Sequence, residues 1–367
     1  MDYISEYRDE DLAQGYIEKI KSTVTRDWNI MEVCGGQTHS LVKNGILDLL
    51  PDQVRMIHGP GCPVCVTPID LIDKAIYLAE EEHVILCSFG DMLRVPGSSK
   101  SLLDAKANGA DVRILYSPLE AIKIAQQNEE KEVVFFAVGF ETTAPANAMS
   151  VVQAKKMGVT NYSILTSHVL VPPAIEAVMK DEESTIHGFL AAGHVCTIMG
   201  ISEYEPLVEK YKIPIVVTGF EPVDLLQGIY MTVRQLEAGE YKLENQYSRV
   251  VKNSGNQNAI QLIENVFKVG TRSWRGIGSI PDSGYELNSE YEGFDANLKY
   301  GIQLEPKSEN SACIAGQVLK GIKKPFECPE FGKSCKPEFP LGAPMVSSEG
   351  ACAAYYHFSR IAEDITV

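Results

Sequence analysis

No apolar run in this sequence approaches the ~20 residues that a membrane-spanning helix requires. The first residues, Met1-Asp2-Tyr3-Ile4-Ser5-Glu6, also lack the basic start and apolar stretch of a cleaved export signal. A cytoplasmic protein without a membrane segment is the expectation. Positive charge is scarce as well: 33 Lys and Arg stand against 49 Asp and Glu, a formal net charge of −16, which repels phosphate backbones and acidic lipids. Nucleic acid is not an expected partner. Neither G-x-x-x-x-G-K-[ST] nor a clean G-x-G-x-x-G after a strand occurs, so the familiar nucleotide cradles are missing too.

What is present is ordinary globular material. The 367 residues, 45% of them hydrophobic, suffice for two or three domains with cores of their own. Short apolar runs recur at Trp28 to Val33, Val84 to Ser88, Val112 to Tyr116, Val133 to Val138, Ser163 to Thr166, Gly188 to Ala192 and Ile215 to Thr218. Stretches of helical period, such as Tyr16 to Thr23, separate most of them. Strands alternating with helices of ~10 to 15 residues predict an α/β protein with parallel sheets covered on both faces. Ligands of such sheets sit at the carboxyl ends of strands, which singles out Cys34, Asp91, Glu141 and Glu221. Beyond about residue 245 the strands become hard to place, and the stretch from Cys313 to Pro344 is dense in Pro, Gly and Lys. Such a segment needs another source of order.

The nine cysteines carry the chemical signal, since a reducing compartment disfavours structural disulfides. Cys87 and Cys196 stand in apolar strands and helices, where cysteine acts as a small hydrophobe. Cys313, Cys328, Cys335 and Cys352 read as C-x14-C-x6-C-x16-C. Four soft ligands on wide, unequal loops, without the paired knuckles of structural zinc sites, favour a [4Fe–4S] cluster over zinc. Near the other end, Gly59-Pro-Gly-Cys62-Pro-Val-Cys65 holds a C-x-x-C pair suited to reversible dithiol chemistry; half of a zinc site is the competing reading. Cys34 stands alone in Cys34-Gly-Gly-Gln-Thr-His-Ser40, between a strand and a helix N-terminus that favours a thiolate. It is either a nucleophile with His39 as base or a metal ligand that His39 orients. For His58, His168 and His194 the satisfied structural role is the default.

Together, the Cys34 motif, the Cys62/Cys65 motif, Gly139-Phe-Glu-Thr-Thr-Ala-Pro145 and the four-cysteine tail resemble the hydrogenase maturation protein HypD family, in the family's order along the whole chain. The resemblance implies a scaffold for assembling the Fe(CN)2CO unit of [NiFe] hydrogenases, a redox-active metallocentre-assembly protein rather than an enzyme of free metabolites. It implies that Cys34 holds the iron together with the N-terminal cysteine of a stable partner, HypC, and that Cys62 and Cys65 form the redox pair. It also implies that Cys313, Cys328, Cys335 and Cys352 bind the [4Fe–4S] cluster, and that HypE transiently delivers cyanide as a thiocyanate. The hydrogenase large subunit is reached indirectly through HypC. Glu141, Thr142 and Thr143 are expected either to orient ligands or to cap the next helix. The expected architecture is two doubly wound, Rossmann-like parallel-sheet domains, 1–130 with Cys34 and the C-x-x-C and 131–240 with the Gly-Phe-Glu-Thr-Thr motif. A C-terminal iron–sulfur domain, 241–367, follows, its last helix packing on the first domain, in a chain that is monomeric when free. Two other classes remain open at this point: a stand-alone disulfide reductase and an iron or redox sensor.

Overall fold

Alternation along each strand fixes what its two faces touch. In β1 (Trp28–Glu32), Ile30 enters a core with Leu225 and Ile229, while its neighbour Met31 enters another with Phe189 and Ile175. In β5 (Glu132–Gly139), Val133 and Phe135 go one way and Val134 and Phe136 the other. Period-two alternation with both faces apolar belongs to parallel sheets sandwiched between helices.

The computed structural model describes residues 5–304 and 312–359 and contains two such sheets. β1 joins β2 (Val54–His58), β7 (Gly188–Ala192), β8 (Ile215–Thr218) and β9 (Leu243–Asn245) in a five-stranded parallel sheet of order β2-β1-β7-β8-β9. β5 joins β3 (Val84–Ser88), β4 (Val112–Ile114) and β6 (Tyr162–His168) in a four-stranded parallel sheet of order β4-β3-β5-β6. An antiparallel pair, β10 (Phe267–Trp274) and β11 (Gly278–Leu287), meets the second sheet at the bridge between Val169 and Gly284.

The α/β class and the parallel sheets are as expected, but sheet membership cuts across the expected boundaries at 130/131 and 240/241. The chain builds β1 and β2, leaves to complete the whole second sheet with β3 to β6, and returns with β7 to β9 beside β1. Periodicity identifies strands without naming partners; the pairing of Ile30 with Gly188 is a long-range choice that no local pattern encodes. β2 escaped the sequence reading because its five residues, interrupted by exposed Arg55, stand between turn-forming Pro51 and Pro60. The hairpin escaped because most of β10 is solvated on both faces, which blurs the period.

The C-terminal segment folds back onto the first sheet. Its helix Ala351–Phe358 packs against the helix Gly35–Lys43, with Val42, Met345, Ala353 and Tyr355 sharing one apolar cluster. The short turn Ala343–Met345 touches the helix Pro63–Val66. A buried polar chain reinforces this docking. Thr38 Oγ1 donates to Glu32 Oε1 at 2.6 Å, the same carboxylate oxygen meets His58 Nδ1 at 2.5 Å, and His58 Nε2 meets the Tyr355 hydroxyl at 2.9 Å.

Candidate functional site

The order β2-β1-β7-β8-β9 reverses direction between β1 and β7, and such a switch point opens a crevice at the carboxyl ends of the strands. Cys34 follows β1 and caps the helix Gly35–Lys43; His194 follows β7 in the first turn of Gly193–Met199. Both imidazole nitrogens lie 3.8 Å from Cys34 Sγ, and the ring stacks on Phe220, which follows β8, with centroids 5.0 Å apart. Gln37 fixes the helix across the sheet, donating to Thr218 Oγ1 at 2.6 Å and to the Ala191 carbonyl at 3.2 Å. Burial, reinforced by Glu349, pushes the Cys34 thiol up to about 12 against the pull of the Gln37 and Gly36 amides. Burial also holds His194 down to about 4. A neutral thiol beside a neutral imidazole loses its proton readily only to a cation that replaces it. Arg8, Lys43, His39 and Glu349 line the cleft that leads outward from this pair.

The Cys62/Cys65 motif leans on Cys34 itself. Gly61 O accepts the Gly35 amide at 2.9 Å, and a Cβ at Gly61 would stand 2.1 Å from the Cys34 nitrogen, so only glycine allows the two loops to touch. Cys62 caps the helix Pro63–Val66, with Pro63 at a position that needs no amide hydrogen. The two sulfurs form a disulfide with the α-carbons 5.2 Å apart. Cys34, Cys62 and Cys65 all belong to one buried apolar cluster.

Cys313, Cys328, Cys335 and Cys352 line a single pocket. Its other walls are apolar, among them Val318, Phe331 and Met345. Leu341 N–H points at Cys335 Sγ at 3.4 Å, and a Cβ at Gly342 would lie 2.3 Å from Cys313 Sγ. The Cys352 thiol is pushed far up by burial and by the three other cysteines. Among the described residues, no three or more His, Cys, Asp or Glu side chains gather to hold one metal ion.

Comparison with known proteins decides the family. The model of the family described as "HypD: Hydrogenase formation hypA family" matches residues 11–359. The chain is 46% identical over 369 residues to the hydrogenase expression/formation protein HupD of Azotobacter chroococcum mcd 1, covering 98% of this chain and 97% of that one. It is 45% identical over 368 residues to the hydrogenase maturation factor HypD of Escherichia coli (strain K12), covering 98% and 99%. The chain belongs to the HypD family. The three cysteine motifs through which the sequence resembles HypD proteins therefore lie at one end of the first sheet and on the segment docked against it.

Not every residue singled out from the HypD-like motifs joins them. His39 Nδ1 donates to the Ser348 carbonyl at 3.0 Å and its ring packs edge-on to Phe358, so it anchors the C-terminal segment. The imidazole at the thiol is His194, for which a structural role was the default expectation. Glu141 is fully buried, accepts the Val171 amide at 2.9 Å and is pushed up to about 8 by burial. Thr143 donates to the Phe140 carbonyl at 3.2 Å and meets His168 Nε2 at 3.2 Å; Thr142 is half-buried beside it. These partners tie Glu141 and Thr143 to the helices Ala144–Met157 and Val171–Lys180, while Phe140 of the same motif shares the apolar cluster of Cys34, Cys62 and Cys65. Cys87 and Cys196 are wholly buried, as their apolar surroundings predicted, and burial pushes both thiols up to about 12. His194 was findable, since Gly193-His194 follows a strand as Cys34 does. Glu349 carried no local signal.

Proposed function

We propose that the chain is a [NiFe] hydrogenase maturation factor on which an Fe(CN)2CO unit is assembled, with the iron anchored by Cys34 and the Cys62/Cys65 dithiol supplying electrons beside it. One observation supports this above the others: Gly61, at the head of the dithiol loop, abuts the backbone of Cys34, so the proposed iron anchor and redox pair share one small volume. Iron is the cargo. On binding it takes the place of the Cys34 proton, which burial otherwise retains.

The chemistry then balances. Releasing cyanide from a thiocyanate, R–S–CN, to iron needs two electrons, leaving R–S⁻ and iron-bound cyanide. The two thiols of Cys62 and Cys65 provide them by closing their disulfide, with loss of two protons. Phe220 and the apolar cluster around Cys34 keep water from competing for the metal.

Four cysteines around an apolar pocket, with an amide aimed at one sulfur, suit a [4Fe–4S] cluster held by Cys313, Cys328, Cys335 and Cys352. Zinc instead demands four ligands converging at about 2.3 Å. The cluster would supply one-electron equivalents close to the dithiol. In this reading HypC contributes a second thiolate in a stable complex, HypE presents the thiocyanate transiently, and the large subunit receives the finished unit through HypC. The free chain is a monomer that works in the cytoplasm.

Cysteine variants test the division of labour. Cys62→Ser and Cys65→Ser should retain iron but accumulate no cyanide ligands when thiocyanate-charged partner is added, whereas Cys34→Ala should retain no cargo iron. Cyanide transfer at the wild-type rate in both dithiol variants would remove the electron-donor role.

A further inference from the structure

The strongest unassigned feature in the molecule is a histidine whose hydrogen-bond partner is a thiol. We propose that His194 is a ligand of the cargo iron, so that this chain holds the metal through the Cys34 thiolate and an imidazole together. The inference rests on the reading of Cys34 as the iron anchor and names what stands next to it.

Other histidines of this chain, buried or half-buried, find oxygen or nitrogen partners. His58 bonds Glu32 and Tyr355, His39 bonds the Ser348 carbonyl, and His168 bonds Asn147 at 2.8 Å. His194 differs: among the described residues its partner is Cys34 Sγ, 3.8 Å from each nitrogen. The two nitrogens are equidistant from the sulfur, so a small turn of the ring aims one of them at a metal beside it, while a flat face rests on Phe220 at an interplanar angle of 28°. Phe220 holds the ring in place without occupying either nitrogen. A thiol is a weak hydrogen-bond acceptor, so the contact alone contributes little to holding this half-buried ring.

Placement and coordination chemistry agree. Cys34 and His194 flank the switch point between β1 and β7, where the sheet itself opens a crevice. His194 also lines the cleft through which a partner's group would approach, together with Gly36 and Phe220. Sulfur and nitrogen bound to adjacent positions of one metal stand roughly 3 Å apart when the bonds are about 2.0 to 2.3 Å. The observed pair needs to close by less than an atom's width. Imidazole suits iron as it suits zinc and copper. Low-spin iron(II) carrying two cyanides and one carbonyl has three positions left; Cys34 and a partner's thiolate fill two, and His194 fills the third.

The test uses the anaerobically isolated complex with its partner, read by iron content and by infrared absorption in the cyanide and carbonyl region. His194→Ala should lose iron and shift the remaining bands, and added imidazole should restore both by entering the vacated space. His194→Gln, whose amide can donate to sulfur but ligates iron poorly, should resemble His194→Ala. Wild-type bands and iron in the Gln variant would assign His194 to hydrogen bonding and overturn the proposal, as would unshifted bands in the Ala variant or a loss that imidazole does not repair. Cys34→Ala separates the two readings: bands that survive there refute the anchor, whereas bands lost there but unchanged in the His194 variants refute only the histidine ligand.

Discussion

Glu141 and Gly61 show how differently single residues declare themselves. Glu141 looked like a site residue because it ends a strand, yet its carboxyl is buried against the Val171 amide, and among the described residues Oε2 has no hydrogen-bond partner. Its folded pKa of about 8 lies above the ordinary 4.5, so the folded state holds a proton that the unfolded state releases. The associated stability is fully present below pH 4.5 and is lost as pH rises toward 8, with a slope of at most about 1.4 kcal/mol per unit. Glu141→Gln keeps a carbonyl for Val171 and does not ionise, so urea unfolding from pH 5 to 8 should show a flatter profile than wild type. An equally steep decline would refute the assignment. Gly61 was visible only as part of a motif; that its missing side chain lets two loops touch is a spatial fact. Gly61→Ala should destabilise the protein by about 2 to 3 kcal/mol and expose Cys62 and Cys65 to alkylation after mild reduction. Cysteine spacing singled out four thiols that the fold brings around one pocket, but the imidazole at Cys34 was not legible: His39 is five residues away in sequence and faces elsewhere, while His194 follows another strand.

Among elements, the strands with continuous apolar runs were legible and the rest were not. β5 announces itself by a run of mostly apolar residues buried on both faces, and β6 by the apolar pair Ile164 and Leu165 between small polar residues. β2 is interrupted by exposed Arg55, and β10 is largely solvated. The helix Ala351–Phe358 does two tasks at once, since Cys352 lines the four-cysteine pocket while Tyr355, one turn on, reaches His58. Tyr355→Phe keeps the ring against Phe326 but leaves a buried imidazole nitrogen unpaired, a cost of about 1 to 3 kcal/mol. Chemical denaturation should register that loss, and hydrogen exchange should quicken first in residues 351–358. A variant as stable as wild type would mean that the buried chain does not hold this helix.

At the scale of the whole molecule, composition and strand–helix alternation reveal the class but not the route of the chain. Two parallel sheets were readable; that the second is inserted between strands of the first was not, because partner choice depends on long-range packing such as β1 beside β7. The same long-range folding brings the two cysteine-bearing regions together, laying the turn Ala343–Met345 on the dithiol helix Pro63–Val66. Because the segment from Cys313 onward has few regular elements, its order should depend on what its cysteines bind. Chelating the cluster anaerobically should make 312–350 protease-sensitive while the sheets stay protected, a contrast readable by mass spectrometry of the fragments. Uniform resistance would show that the segment holds itself. The central claim, that Cys34 carries the iron being dressed with its ligands, is tested most directly by the infrared spectrum of the anaerobically isolated complex of wild-type protein and of Cys34→Ala. Cyanide and carbonyl bands should be present in the first and absent from the second; bands of equal strength in both would contradict it.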